Sequence, residues 1–187
     1  MLGRRSGVRR IDGCQCPLAC QQAVSAGNFG TLDANRHMPP SGSIHKFERL
    51  FRMAASLDID KSDVDRYQDF INRKIYDLLL MGQAAAKANG HVVIEPQDLP
   101  ITKGLQESMH AFRGIDAELG LTPAIDYITG RPPLDLPLAD ETDSRLPAVA
   151  GGLSYALAQS FRIIDPDLKN PQTEHWDKAF QLFDLLM

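Results

Sequence analysis

The sequence predicts an all-α protein made of two consecutive helical units, each built around one long amphipathic helix. Three observations carry that expectation. Apolar residues recur at steps of three and four over two long stretches, 62–88 and 140–164. Shorter stretches with the same period flank each of them. Alternating or β-branched runs are confined to short connections, so nothing supports a sheet. The composition agrees: 187 residues, 43% hydrophobic and 24% charged, can build one sizeable core without disulfides. No apolar run approaches the roughly 20 residues of a membrane span.

In the first unit Ser43 caps a helix whose apolar positions Ile44, Phe47, Phe51 and Ala54 step by three and four, with Leu50 widening the stripe. After the connection 57–61, Asp60 or Ser62 starts the first long helix. Val64, Tyr67, Ile71, Ile75, Leu78, Gly82 and Ala85 keep helical spacing until Asn89-Gly90 stops it. At 1.5 Å per residue this helix is about 40 Å long. His91-Val92-Val93-Ile94 is a short β-branched run. Asp98 and Pro100 then suit the start of a third helix through Ile101, Leu105, Met109, Phe112, Ile115 and Leu119 to Gly120.

The second unit repeats the plan with different residues. Thr122-Pro123 opens a short helix through Ile125 and Ile128 to Gly130. Pro132, Pro133 and Pro137 forbid a helix across 132–138, where the leucines alternate. Asp140, with Asp143 three residues on, starts the second long helix through Leu146, Ala150, Leu153, Leu157, Phe161 and Ile164, with Pro147 expected to kink its second turn. Beyond Pro166 and Pro171, Thr173 is a good N-cap for a last helix whose wide apolar face holds Trp176, Ala179, Phe180, Phe183 and Met187.

Short helix, loop, long helix, loop, shorter helix, and the same again is the layout of a histone fold, twice in one chain. Glu95-Pro96-Gln97-Asp98-Leu99, after a β-branched loop, resembles the second loop and third-helix start of archaeal histones. The strings Phe47-Glu48-Arg49-Leu50-Phe51-Arg52, Tyr76-Asp77-Leu78-Leu79, Asp98-Leu99-Pro100-Ile101, Lys103-Gly104-Leu105-Gln106-Glu107, Pro132-Pro133-Leu134-Asp135-Leu136 and Leu168-Lys169-Asn170-Pro171-Gln172-Thr173-Glu174-His175 resemble an uncharacterised prokaryotic family, a domain of unknown function whose members are tandem histone-fold pseudodimers. The resemblance covers residues 44–187. It implies an all-α tandem histone fold with halves 43–119 and 120–187, clasped through crossed long helices and short extended loop pairings. Fusing the halves in one chain makes that clasp intramolecular. Gly82, Gly151 and Gly152 each cost about 1 kcal/mol relative to Ala inside a helix. Two readings stay open for them: close backbone approach at a helix crossing, or tolerated surface positions.

Residues 1–42 have no counterpart in that family and no helical or strand period, and they end in Pro39-Pro40-Ser41-Gly42; we expect a disordered extension, with Met38 as an alternative start. An apolar segment for secretion is lacking, because polar residues and Pro17 break 11–24. Cys14, Cys16 and Cys20 are the only cysteines, too few and too close to staple the fold, and one short of a tetrahedral zinc set. A reducing, cytoplasmic setting follows. Residues 1–37 carry five arginines against two aspartates, a balance of +3. The remainder, 15 basic against 22 acidic residues, is −7.

Motifs with catalytic chemistry are missing: there is no phosphate-binding glycine loop, His-Glu-x-x-His or Gly-x-Ser-x-Gly elbow. Asp58-x-Asp60-x-Ser62 begins like a calcium loop but has Asp63 where that loop's sharp turn needs Gly. His45, His91, His110 and His175 fall in different elements, without a partner at catalytic spacing. No catalytic residue, metal site or cofactor is therefore expected. Histone-type DNA binding would use the paired loops, where Lys61, His91, Arg131 and Lys169 are the matching cations. That set is sparse, since phosphate binding draws on several cations releasing counterions. It would need Arg49, Arg52, Arg66, Arg73, Lys74 and Lys87 to gather on one face. The sequence reads best as a non-enzymatic interaction or structural protein with a protein partner or self-association, and as a weak, sequence-independent DNA binder in the second place.

Overall fold

The computed structural model describes residues 41–186, with side chains from Ile44. Apart from Ser41 and Gly42, the residues expected to form the extension lie outside the described residues, as do the three cysteines. Six α-helices follow in order: α1 Ser41–Ala55, α2 Lys61–Asn89, α3 Lys103–Leu119, α4 Thr122–Ile128, α5 Asp140–Ile164 and α6 Thr173–Leu186. A 3-10 turn, Pro96–Asp98, precedes α3. No helix among the described residues is long and apolar enough to cross a membrane.

Several boundaries differ from the sequence expectation for local reasons. α1 begins at Ser41, so Ser43 lies within it instead of capping it. At the start of α2 the cap is Asp60, whose backbone N–H is taken by the Asp63 carboxylate at 3.0 Å. Asp98 does not start α3. It closes the 3-10 turn, while the Thr102 hydroxyl caps α3 by accepting the Leu105 N–H. Thr173 is the first residue of α6 rather than its cap, and Gln172 receives the first helical N–H groups of His175 and Trp176. α5 runs as one helix through Pro147, which is buried and serves as core surface. Gly90 and Gly120 end α2 and α3 in the left-handed region, with φ of 75° and 59°.

The two halves share one compact unit and one apolar core. α5 is the hub: α1, α2, α3, α4 and α6 all pack on it. The third helix of the first half lies on the long helix of the second, whereas α6 packs on α5 of its own half and also touches α2. α3 packs on α5, and α6 reaches α2 through Phe70, which stacks on Phe180 and meets Phe183 edge-on, each at 5.0 Å. Trp176 closes this end against Phe161 and Phe51. Tyr67 of α2 and Ser154 of α5 share a buried hydroxyl–hydroxyl bond of 2.7 Å, and burial raises the Tyr67 phenol.

The three helix-interior glycines mark close approaches. A Cβ on Gly151 would stand 2.3 Å from the Phe112 ring, and one on Gly152 would stand 3.0 Å from the Met109 backbone nitrogen. On Gly82 it would meet Leu99 at 2.9 Å.

Extended connections join the halves. Asp58 donates its N–H to the Lys169 carbonyl at 2.8 Å. Ile94 forms a parallel bridge with Leu138, donating to Pro137 at 2.9 Å and accepting from Ala139 at 3.0 Å. Residues 130–136 run along α2: Gly130 donates to Asn72, while Gln83 accepts from Asp135 and Leu136. The fit is geometric, because 11 helical residues rise about 16 Å and five extended ones span the same length.

Candidate functional site

The two cross-paired loops are where the sequence places its candidate cations, and they divide those residues. Lys61 and Lys169 come to the same pairing, the one closed by the Asp58–Lys169 bond, and both side chains are exposed. Asp58, Asp60, Asp165 and Asp167 share that pairing. Asp58 is engaged by the Arg52 guanidinium at 2.7 Å, and Asp60 by the Asn170 amide. Acidic groups thus outnumber the two lysines at this end.

His91 belongs to the other pairing and Arg131 does not join it. Arg131 follows α4, where its guanidinium meets Asp126 at 2.7 Å and Asp143 at 3.0 Å and also donates to the carbonyls of Asp126 and Thr129. Those bonds tie the end of α4 to the first turn of α5. His91 lies 2.9 Å from the Asp98 carboxylate, which also accepts from the Asn89 side chain and the Glu95 backbone N–H. The hydrogen bond with Asp98 holds the His91 imidazole above its ordinary pKa and, in return, holds the Asp98 carboxyl below its own.

Of the further cations, Lys87 and Lys74 are taken up by carboxylates. Lys87 is bound to Asp135 at 2.6 Å, across the halves, and this bond keeps the Asp135 carboxyl below its ordinary value. Lys74 is buried, its ammonium lying 2.8 Å from Asp184 and 3.2 Å from Asp77. Arg66 donates to the Thr173 hydroxyl, and Arg73 lies over the Phe180 ring at 5.5 Å. Arg66, Asp69, Phe70, Arg73 and Phe180 line an open groove of about 260 Å³ between α2 and α6. Arg49 is exposed on α1.

Sequence reasoning missed the acidic partners that make these cations structural. Asp98 reads as a helix start, while Asp135 and Asp184 lie 48 and 110 residues from their lysines. No local spacing signals such pairs. Among the described residues no group of three or more His, Cys, Asp or Glu side chains could hold a metal ion.

The comparisons agree in naming no activity. The model of a domain of unknown function, DUF1931, matches residues 47–184. An uncharacterized protein of Aquifex aeolicus (strain VF5) is 25% identical over 165 residues, covering 84% of this chain and 95% of its own. A crystal structure from Thermus thermophilus is 48% identical, with a TM-score of 0.70, and covers 77% of this chain and 97% of its own. A 1.9 Å crystal structure from Aquifex aeolicus, 22% identical, has a TM-score of 0.70 over 82% of this chain and 99% of its own, a likeness of fold alone.

Proposed function

We propose that this chain, which belongs to the DUF1931 family, is a single-chain tandem histone fold that acts as a non-enzymatic interaction module, binding a protein partner or further copies of itself. The observation that carries the fold reading is the double exchange between halves. Both loop pairings run from one half to the other, α3 lies on the long helix of the second half, and α6, packed on α5, also meets α2 of the first half through Phe180 and Phe183. A handshake of two equivalent units requires that pattern, and two independently folded bundles do not.

Two features favour a protein partner over nucleic acid. Four of the candidate cations are bound up in internal pairs: Arg52, Lys74, Lys87 and Arg131 each meet a carboxylate. Apolar groups, by contrast, stay outside. Leu182, Leu185 and Leu186, at i, i+3 and i+4 on α6, are 39%, 83% and 79% exposed. Such a stripe is costly in water unless it is covered.

A gel-shift titration with duplex DNA separates the two readings. For the chain lacking residues 1–37 we expect no detectable binding at about 150 mM salt, where screening confines useful contacts to about 8 Å. Four loop contacts would give a salt slope of at most about −4, so any binding fades toward that ionic strength. Submicromolar binding that is lost in Lys61→Glu/Lys169→Glu would replace this proposal with the DNA reading. Sedimentation across a concentration series is the companion measurement. Assembly that weakens in Leu185→Asp supports self-association through α6.

A further inference from the structure

The second loop pairing is organised by one buried carboxylate. The Asp98 side chain is fully shielded from solvent and accepts three donors: His91 Nδ1 at 2.9 Å, Asn89 Nδ2 at 3.2 Å and the Glu95 N–H at 3.0 Å. Asn89 ends α2, His91 follows the Gly90 stop, and Glu95 adjoins Ile94. Asp98 therefore ties the helix end, the loop and the 3-10 turn together and fixes Ile94 between them. Ile94 in turn makes the bonds to the other half, with Pro137, Ala139 and the Thr142 hydroxyl. A carboxylate withdrawn from water needs a positive or well-bonded partner. Of its three donors only His91 can carry charge, and the imidazole is the member that reaches solvent, 29% exposed.

We propose that His91 and Asp98 form a proton-operated latch on this loop pairing, tight while the imidazole is protonated and looser once it is neutral. The charged groups facing His91 are Asp98 and Glu95, both from the 3-10 turn. Glu95 is also bonded to the Gln97 amide. From α2 come the neutral Asn89 amide and Lys87, which is occupied by Asp135. The facing segment and α5 contribute Pro137, Ala139 and Thr142, which carry no charge. Among the groups bonded in this pairing, His91 alone titrates near neutrality.

The direction of the effect follows from linkage. A base whose pKa is raised by folding stabilises the folded arrangement fully below its unfolded value, and the gain is lost as pH rises through the folded value. For His91 the gain is therefore present below 6.5 and fades as pH rises through its higher folded value. Asp98, held low, keeps its contribution until pH falls below the ordinary carboxylate range. The neutral imidazole can still donate through Nδ1, so the pairing weakens instead of parting. The latch concerns the clasp between the halves and does not depend on which partner the outer surface binds.

The full-length protein tests this by two measurements on one sample: NMR titration of the His91 ring, and amide hydrogen exchange at Ile94 and Ala139, corrected for the intrinsic pH dependence of exchange. We expect a His91 midpoint above 6.5. Each unit of excess should reappear as a roughly tenfold loss of protection at the two amides across the titration. His91→Gln, a neutral donor to Asp98, should give protection that does not change with pH over the same range, and Asp98→Asn should lower the His91 midpoint. Flat protection in the unaltered protein, a midpoint at or below 6.5, or the same pH dependence in His91→Gln would each overturn the latch.

Discussion

Replacing Gly151 by alanine inserts one methyl group where α5 crosses α3, and the structure sets the size and sign of the result. The new Cβ would lie 2.3, 2.4 and 2.7 Å from three atoms of the Phe112 ring, where ordinary contacts begin at 3.4 Å. The ring must therefore retreat by about 1 Å, and at 1% exposure it has no solvent to retreat into. Overpacking of this kind costs about 1–3 kcal/mol, and the better helix propensity of alanine returns about 1 kcal/mol. The expected net loss is about 0–2 kcal/mol, a fall of up to about 8 °C in melting temperature for a chain of this size. Urea unfolding is the assay, with an unchanged m-value as the sign that only stability has moved. Gly114→Ala in α3 is the opposite case. Nothing lies within 4 Å of its added Cβ, so it should stabilise by about 0.5–1 kcal/mol. Phe112→Leu should cost less in the Gly151→Ala background than alone, a coupling of about 0.5–3 kcal/mol for groups in contact. A Gly151→Ala protein stabilised as much as Gly114→Ala, or two additive substitutions, would refute the close crossing of α3 and α5.

Two further outcomes are expected. Residues 43–119 and 120–187 expressed separately should each fail to unfold as a cooperative monomer, because α3 takes most of its packing surface, and α6 part of its own, from the opposite half; calorimetry of each fragment and of their mixture checks this. Asp184→Asn should loosen the docking of α6 by about 1 kcal/mol, a modest value because Asp184 is half exposed although Lys74 is buried. The hydrogen bond from Lys74 holds the Asp184 carboxyl below its ordinary pKa, so its contribution is present above the carboxylate range and lost as pH falls through the folded value. The stability difference between the two proteins should therefore vanish in strong acid. Fluorescence of the single tryptophan, Trp176 on α6, reports it.

The helices themselves were legible along the chain. Three-and-four spacing located α2 and α5, Asn89-Gly90 and Gly120 marked two of the stops, and Pro132, Pro133 and Pro137 kept the connection between α4 and α5 free of helix. These features depend on backbone geometry and on which side of a helix meets water, and both are set by neighbours a few residues away. The tertiary structure decided which of two readings held for Gly82, Gly151 and Gly152, because a glycine at a crossing and a glycine at the surface look alike until the opposing helix is in place. It also decided the fate of the candidate cations. Lys61 and Lys169 stay exposed at one loop pairing, while Lys87 and Lys74 are bound by carboxylates that arrive from distant segments and Arg131 by the nearby Asp126 and Asp143. Coulomb attraction acts through space, and the chain brings residues 74 and 184, or 87 and 135, together only once the helices have packed. Charge composition could therefore state the excess of acid, and only the fold could say which cations that acid occupies.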